Sequence, residues 1–408
     1  MNYTDSVRFL YSLGNEIQTA KFGLERITLL LHALGDPQRH GRFIHVAGTN
    51  GKGSTCAMIE AGLRAAGVRT GLYTSPHLSE PTERIRIAGD PVTPQQFAGA
   101  FTEVHETAES MLAAGQLDLH PTYFESVTAM AFLLFARAQV DTIVLEVGMG
   151  GRLDATNVVA PALCVITPID FDHQFFLGDT LAKIAAEKAG ILKTDAPAIF
   201  AEQPPEAEAV LRAHAKGPYT LARDWAITNL EIDARSSRFR MRDLEITCPL
   251  AGEHQVENAR TAGIALHHLG VSPAGISGTQ WPGRLELVGD HPEIILDGAH
   301  NPAGTRALVQ YIHRFYAGRR IWIVYGVMRD KAAAEMAATL FPLAERVIVT
   351  APANSRAMPP EDIPAPGSRV THTVKEALAV LREADPSVAV FITGSLFVVG
   401  EARALLVQ

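Results

Sequence analysis

Apolar positions recur along this chain in two registers, and the switching between them outlines the fold. Helical spacing runs through Val7-Arg8-Phe9-Leu10-Tyr11-Ser12-Leu13 and again over 24–34, where Gly35 and Pro37 end it. The segment Phe43-Ile44-His45-Val46-Ala47 has strand character and leads through a glycine loop into an amphipathic helix from Ser54 to about Ala66. Gly67 is its expected C-cap, and Thr70-Gly71-Leu72-Tyr73-Thr74 predicts a second short strand. Strand, helix, strand is the start of a parallel α/β sheet.

Helices are expected over 94–114 and 123–138, buried strands at 142–145 and 164–167, and a further helix from Leu181. Alternating apolar residues over 225–247 predict small antiparallel strands, followed by a helix over 253–269. Gly and Pro then cluster in Ser277-Gly278-Thr279-Gln280-Trp281-Pro282-Gly283, which reads as a linker. Beyond it, strands at 294–296, 321–325, 347–349 and 388–392 alternate with helices near 303–315, 331–340, 375–383 and from Ser395. The expected fold class is therefore α/β in two domains, 1–282 and 283–408. The first holds a mostly parallel sheet with a small antiparallel subregion; the second is smaller and Rossmann-like.

Composition sharpens this picture at three points. A length of 408 residues exceeds what one core usually organises, in keeping with two domains. The formal charge of −8 argues against general nucleic-acid binding, so an anionic ligand must be held by local cations and helix ends. No apolar run is long enough to span a bilayer and the polar N-terminus lacks signal-peptide order, so no membrane association and a cytoplasmic location are expected. Cys56, Cys164 and Cys248 lie too far apart for a disulfide framework or a zinc pattern and read as small buried residues.

The candidate chemistry collects where strands end. In Gly48-Thr49-Asn50-Gly51-Lys52-Gly53-Ser54 the glycines let successive N–H groups turn toward anionic oxygens, Lys52 adds a point charge, and the helix presents its positive end. Ser54 can reach a magnesium ion from there. The spacing departs from the common P-loop, because Val46 and Gly53 stand where that motif needs a glycine and a hydroxyl. Ser75, at the end of the second strand, is either a magnesium ligand or the cap of a proline turn. Glu83-Arg84-Ile85-Arg86-Ile87 suggests a ribbon with exposed arginines, either a solvated edge or a place where Arg84 or Arg86 meets a carboxylated substrate or phosphates.

Glu146, at the end of a buried strand before Gly148, Gly150 and Gly151, is a candidate metal ligand, whereas Asp154, Thr156 and Asn157 suit the turn itself. His173 follows Asp170 and Asp172 at the same expected edge. Lys188 sits among small and apolar residues in Ala186-Glu187-Lys188-Ala189-Gly190-Ile191 and, read alone, is a helix surface charge.

The glycine loop resembles the ATP loop of folylpolyglutamate and dihydrofolate synthases, relatives of the Mur ligases. Gly252-Glu253-His254-Gln255, Gly283-Arg284-Leu285-Glu286, Asp297-Gly298-Ala299-His300-Asn301-Pro302, Gly326-Val327-Met328-Arg329-Asp330-Lys331 and Thr393-Gly394-Ser395-Leu396 are similar to later motifs of the same family, in the same order. The resemblance implies a P-loop-type ATPase domain followed by a glutamate-binding domain. It implies ATP with two magnesium ions held through Ser54, Ser75, Glu146, His173 and Lys188, the lysine carrying a carbamate. It puts Asn258 at the adenine, Arg284 at the ATP phosphates, Asp297 and His300 toward the nucleotide, and His300 with Ser395 at glutamate.

The implied activity is ATP-driven addition of L-glutamate to dihydropteroate and to reduced folates through an acyl phosphate, by a monomer. Only two helical segments precede the glycine loop, so the extra N-terminal domain of cell-wall Mur ligases has no room here. The alternatives are a synthase of folylpolyglutamates alone and a nucleotide-controlled binding switch without ligase chemistry.

Overall fold

The computed structural model describes residues 1–13 and 23–407. The chain forms two compact units, one made of Met1–Ile227, Met241–Ile246 and Glu257–Gly278, the other of Thr228–Arg240, Thr247–Val256 and Thr279–Gln408.

The first unit is built on the strands β1 (Arg42–Ala47), β2 (Thr70–Tyr73), β3 (Ile85–Ile87), β4 (Asp90–Pro91), β5 (Thr142–Glu146), β6 (Pro161–Ile166), β7 (Ala198–Phe200) and β8 (Tyr219–Leu221). They form an eight-stranded sheet in the order β4-β3-β2-β5-β1-β6-β7-β8. From β2 to β8 neighbouring strands are parallel, and β3 and β4 add an antiparallel edge. Its helices are α1 (Tyr3–Ser12), α2 (Glu25–Ala33), α3 (Lys52–Ala65), α4 (Pro94–Ala113), α5 (Tyr123–Arg137), α6 (Gln174–Leu177), α7 (Leu181–Ala189) and α8 (Pro205–His214), with α9 (Glu253–His268) contributed mostly from the later segment.

One hydrophobic cluster gathers Phe97 and Phe101 of α4 with Phe132 and Phe135 of α5; another gathers Ile184 of α7 and Leu211 of α8 with Ile166 and Phe200. Strands buried on both faces read as continuous apolar runs, which is why β1 and β5 were legible as strands. Thr93 and Thr122 close capping boxes at the starts of α4 and α5, with Gln96 and Glu125 as the reciprocal partners.

Three local expectations change. The helix expected from Ser54 begins at Lys52, because Gly51 adopts a left-handed conformation that turns the chain directly into it. The segment 192–224, for which no element was expected, contributes β7, α8 and β8. Two of these are strands of three residues, too short for a period to show. The arginines of 83–87 are not an exposed row: Arg84 is buried and Arg86 half-buried. The Arg84 guanidinium lies 4.8 Å from the Tyr123 ring centroid, and its Nε donates to His77 Nδ1 at 2.9 Å. An alternating pattern cannot foretell that a cation will be covered by an aromatic face from a helix some forty residues away.

The strands β9 (Thr228–Ile232), β10 (Ser237–Met241) and β11 (Leu244–Cys248) form the expected small sheet, with β9 and β10 antiparallel. The second unit holds β12 (Glu286–Asp290), β13 (Glu293–Leu296), β14 (Ile321–Tyr325), β15 (Arg346–Val349), β16 (Arg369–Val370) and β17 (Ala389–Thr393) in the order β12-β13-β17-β14-β15-β16. All pairs are parallel except β12 with β13. Its helices are α10 (Pro302–Phe315), α11 (Ala333–Leu340), α12 (Val374–Val380) and α13 (Leu396–Leu406).

Candidate active site

In the first unit, the carboxyl ends of β1, β2, β5 and β6 gather the predicted polar residues on one edge. The chain leaves β1 at Gly48, whose φ of +148° brings its backbone against β6: a Cβ there would stand 1.9 Å from Thr167 Oγ1. Gly51, at φ +83°, is equally constrained, since its Cβ would meet Asn258 Oδ1 at 2.2 Å. Asn258 of α9 is thus brought to the loop. The amides of Thr49 and Asn50 do not point at a ligand as expected; both donate to Pro168 O, at 3.0 and 3.3 Å. Thr49 Oγ1 also donates to Asp170 O and accepts from Asp170 N. The loop is clamped onto the end of β6 and passes into the first turn of α3 at Lys52, and a helix N-terminus is where an anion is favoured.

Two lysines converge on this loop. Lys52 Nζ donates to Thr49 O at 3.1 Å and Lys188 Nζ to Gly48 O at 2.8 Å. Lys188 is not the surface charge that its helix position suggested; it is buried. Burial, reinforced by the charge of Lys52 and opposed by Asp172 and Asp154, lowers its pKa from 10.5 to about 7. The glycines after Glu146 explain how α7 delivers it: a Cβ on Gly151 would lie 2.8 Å from Glu187 O and 2.9 Å from Lys188 O, so only glycine lets the turn approach the helix backbone. Asp154 shapes that turn, accepting from Met149 N and from the amide and hydroxyl of Thr156.

Glu146 and Ser54 are buried, and Glu146 Oε2 accepts from Ser75 N at 2.9 Å. The hydroxyls and the carboxylate are the hard oxygen donors that magnesium prefers, so Ser54, Ser75 and Glu146 fit that ion; His173 offers a nitrogen instead. His173 precedes α6 in a left-handed conformation, and its Nε2 lies 3.9 Å from Asp172 Oδ1. Arg84 lies at this end of the sheet as well, held by His77 as described, whereas Arg86 sits within β3 opposite Leu72, its Nε reaching Glu83 O at 3.4 Å. The sequence reading passed over His77. Its pKa is pushed down to about 3 by burial and by Arg84, which keeps it a neutral acceptor. The only sequence signal for it was its place directly after Ser75-Pro76.

In the second unit, Arg284, Asp297, His300 and Ser395 also sit at strand ends, but most are committed to their own backbone. Asp297 is buried at the end of β13 and accepts from Leu285 N and Ala299 N, at 3.1 and 3.0 Å. Arg284 Nη1 donates to Gly283 O, and a Cβ on Gly298 would stand 2.6 Å from that same nitrogen. His300 Nδ1 faces Gly298 O at 2.8 Å. Asn301 caps α10 through Gly304 N, and Ser395 caps α13 through Phe397 N and Val398 N. His254, missed by the sequence reading as a site residue, feels both Asp297, which raises its pKa, and Arg284, which lowers it; burial dominates and leaves it lowered.

Comparison with known proteins matches residues 46–266 to the Mur ligase middle domain and 283–396 to the Mur ligase glutamate ligase domain. The chain is 36% identical to a folylpolyglutamate synthase of Lacticaseibacillus casei, covering 100% of this chain and 99% of the relative. It is also 36% identical to a dihydrofolate synthase/folylpolyglutamate synthase of Mycobacterium tuberculosis, covering 94% and 89%. The fold is similar to that of a Mycobacterium tuberculosis folylpolyglutamate synthase solved with ADP and AMPPCP, with a TM-score of 0.90, 34% identity and coverage of 100% and 99%. With a glycine cradle on the first sheet edge and both domain matches in order, the chain belongs to the Mur ligase family, among its folylpolyglutamate and dihydrofolate synthases, and is an ATP-dependent ligase.

Proposed function

We propose that the protein adds L-glutamate to dihydropteroate, forming dihydrofolate, and to reduced folates, forming folylpolyglutamates. The observation that carries the mechanism is the buried Lys188 beside Lys52 on the glycine loop, with its pKa near 7. An amine in that range is substantially neutral at neutral pH, the form that combines with carbon dioxide to give a carbamate. A transferring phosphoryl group needs position and charge compensation rather than an enzyme nucleophile. Lys52 and the first amides of α3 supply both, with Gly48, Thr49, Asn50, Gly51, Gly53 and Ser54 shaping the cradle and Asn258 at the adenine.

Two magnesium ions, when bound, would spread phosphate charge, held by Ser54, Ser75, Glu146, His173 and the Lys188 carbamate. The pterin substrate's carboxylate attacks the γ-phosphate, releasing ADP and leaving an acyl phosphate. The amino group of glutamate then displaces phosphate to form the amide. Arg84 and Arg86 serve the carboxylated substrate, Arg284 and Asp297 the nucleotide, and His300 with Ser395 glutamate. Residues 1–282 act as the ATP-binding domain and 283–408 as the glutamate-binding domain, in a cytoplasmic monomer.

Phosphate release from ATP with L-glutamate, comparing dihydropteroate with tetrahydrofolate as acceptor, tests this reading. Turnover with both is expected. Turnover with tetrahydrofolate alone would leave a folylpolyglutamate synthase, and silence with both in protein that still binds ATP would leave a nucleotide-controlled switch.

A further inference from the structure

Away from the loop edge, α4 and the segment leading into α5 bring three side chains together. His105 and Glu109 stand one helical turn apart on α4, and His120 lies just before α5. Among the described residues these form a group of histidine and carboxylate donors with all ligand atoms within 4.8 Å of one another.

The two imidazole nitrogens that face each other, His105 Nδ1 and His120 Nε2, are 3.4 Å apart, and His120 Nε2 is 3.8 Å from Glu109 Oε1. A tetrahedral ion with bonds of about 2.0–2.2 Å holds its donors roughly 3.3–3.6 Å apart. The first separation therefore already suits such an ion, and the second needs a shift of a few tenths of an ångström by a carboxylate that is half-exposed.

The surroundings select the same chemistry. His120 Nδ1 lies 2.8 Å from Pro121 O, a contact that places the proton on Nδ1 and leaves Nε2 with a lone pair facing the group. Phe9 of α1 packs its ring 4.4 Å from that of His105 and 5.4 Å from that of His120, and Phe101 stacks on His105. Two imidazole nitrogens facing each other across 3.4 Å beside the Phe9 and Phe101 rings need either a shared proton or a cation between them. The nearby carboxylate favours the cation.

We infer that His105, Glu109 and His120 form a binding site for a divalent transition-metal cation of the zinc type, which ties α4 to the entry of α5. Nitrogen donors set it apart from the oxygen-rich magnesium ligands at the loop edge. Its role is to hold the helical layer together rather than to act on substrate.

The test is a zinc titration of metal-stripped full-length protein in excess magnesium, followed by the same titration with cobalt(II), whose visible absorption reports a tetrahedral site. Wild-type protein is expected to bind one more equivalent of zinc than His105→Ala or His120→Ala, and zinc to raise its Tm. Glu109→Gln, at an exposed position that leaves folding and ligase turnover intact, is expected to weaken zinc affinity roughly tenfold or more. Equal stoichiometry and affinity in wild type and Glu109→Gln, or no tetrahedral cobalt spectrum in wild type, would leave the pair as a simple N–H···N hydrogen bond and overturn the site.

Discussion

The carboxyl edges of the two sheets use their predicted site residues differently. On the first edge Gly48, Gly51 and Gly151 allow the close approaches and Thr49 and Asp154 tie the turns, while the charged groups Lys52 and Lys188 are laid onto loop carbonyls. On the second edge the polar residues themselves hold the loops: Asp297 accepts two amides, Asn301 caps α10 and Ser395 caps α13. The difference teaches that function and stability are separable at the first edge and entangled at the second.

Lys188→Ala tests this most severely. A buried cation with a lowered pKa costs the fold more than it contributes, so the variant is expected to keep its Tm within a few degrees or to gain. Loss of the group is expected to lower kcat roughly 10²–10³-fold, the range seen when one preorganised electrostatic group is removed from a site. Parallel losses in kcat and Tm would show that Lys188 is a structural residue.

Gly48→Ala probes the backbone side of the same edge. The new Cβ would meet Thr167 Oγ1 at 1.9 Å and Thr167 O at 2.8 Å, in a conformation that side chains resist. Overpacking of this kind costs about 1–3 kcal/mol. The KM for ATP is expected to rise, because the cradle and not only the core must shift. A variant with reduced Tm but an unchanged KM for ATP would remove the loop from the nucleotide site.

The same contrast decides what was legible in the sequence. The glycine loop could be read because a backbone-built cradle needs glycines in one contiguous run between a strand and a helix. Lys188 gave no such signal: its burial depends on Gly151 and Gly190, which let α7 and the 148–152 turn approach within contact, and closeness of that kind has no period. Arg84 was misread for a related reason, since its covers, Tyr123 and His77, come from separate elements. The main strands were visible as apolar runs, whereas β7 and β8 were too short to be. At the second edge the motif run 297–302 drew attention through resemblance, but its capping and turn roles are what the hydrogen bonds display.

Acid acts on the two units through different histidines. His45 in β1 is fully buried, bonded through Nε2 to Thr156 Oγ1 at 2.9 Å, and burial with the charge of Lys193 pushes its pKa down to about 3. His254 in the second unit has Asp297 to offset its lowering. A histidine with a lowered folded pKa leaves stability intact above its unfolded value of 6.5. Stability then falls with pH below 6.5, because the unfolded chain takes up the proton first, and the loss stops growing near pH 3. For His45 the loss at pH 5 is about 2 kcal/mol. Denaturant titrations between pH 7 and 5 are expected to show a slope to which His77, lowered to about 3 as well, also contributes, and His45→Gln to reduce it by the His45 share.

The smallest effect expected, at Ser395, is also the one that most sharpens the comparison. Its Oγ accepts from Phe397 N at 3.1 Å and Val398 N at 3.4 Å, and the residue is buried. Ser395→Ala leaves those amides without their cap and is expected to cost about 1 kcal/mol, read as a lower urea midpoint with an unchanged slope. Any loss of glutamate affinity in that variant could follow from the frayed helix alone. Ser395→Asp breaks the ambiguity, because aspartate caps as well as serine and its charge suits a helix N-terminus, while the same charge repels a carboxylated substrate. Restored stability with a raised KM for glutamate would make Ser395 both cap and substrate contact, the entanglement that distinguishes this edge. Restored stability with an unchanged KM would make it a cap alone, and the glutamate site would then rest on His300.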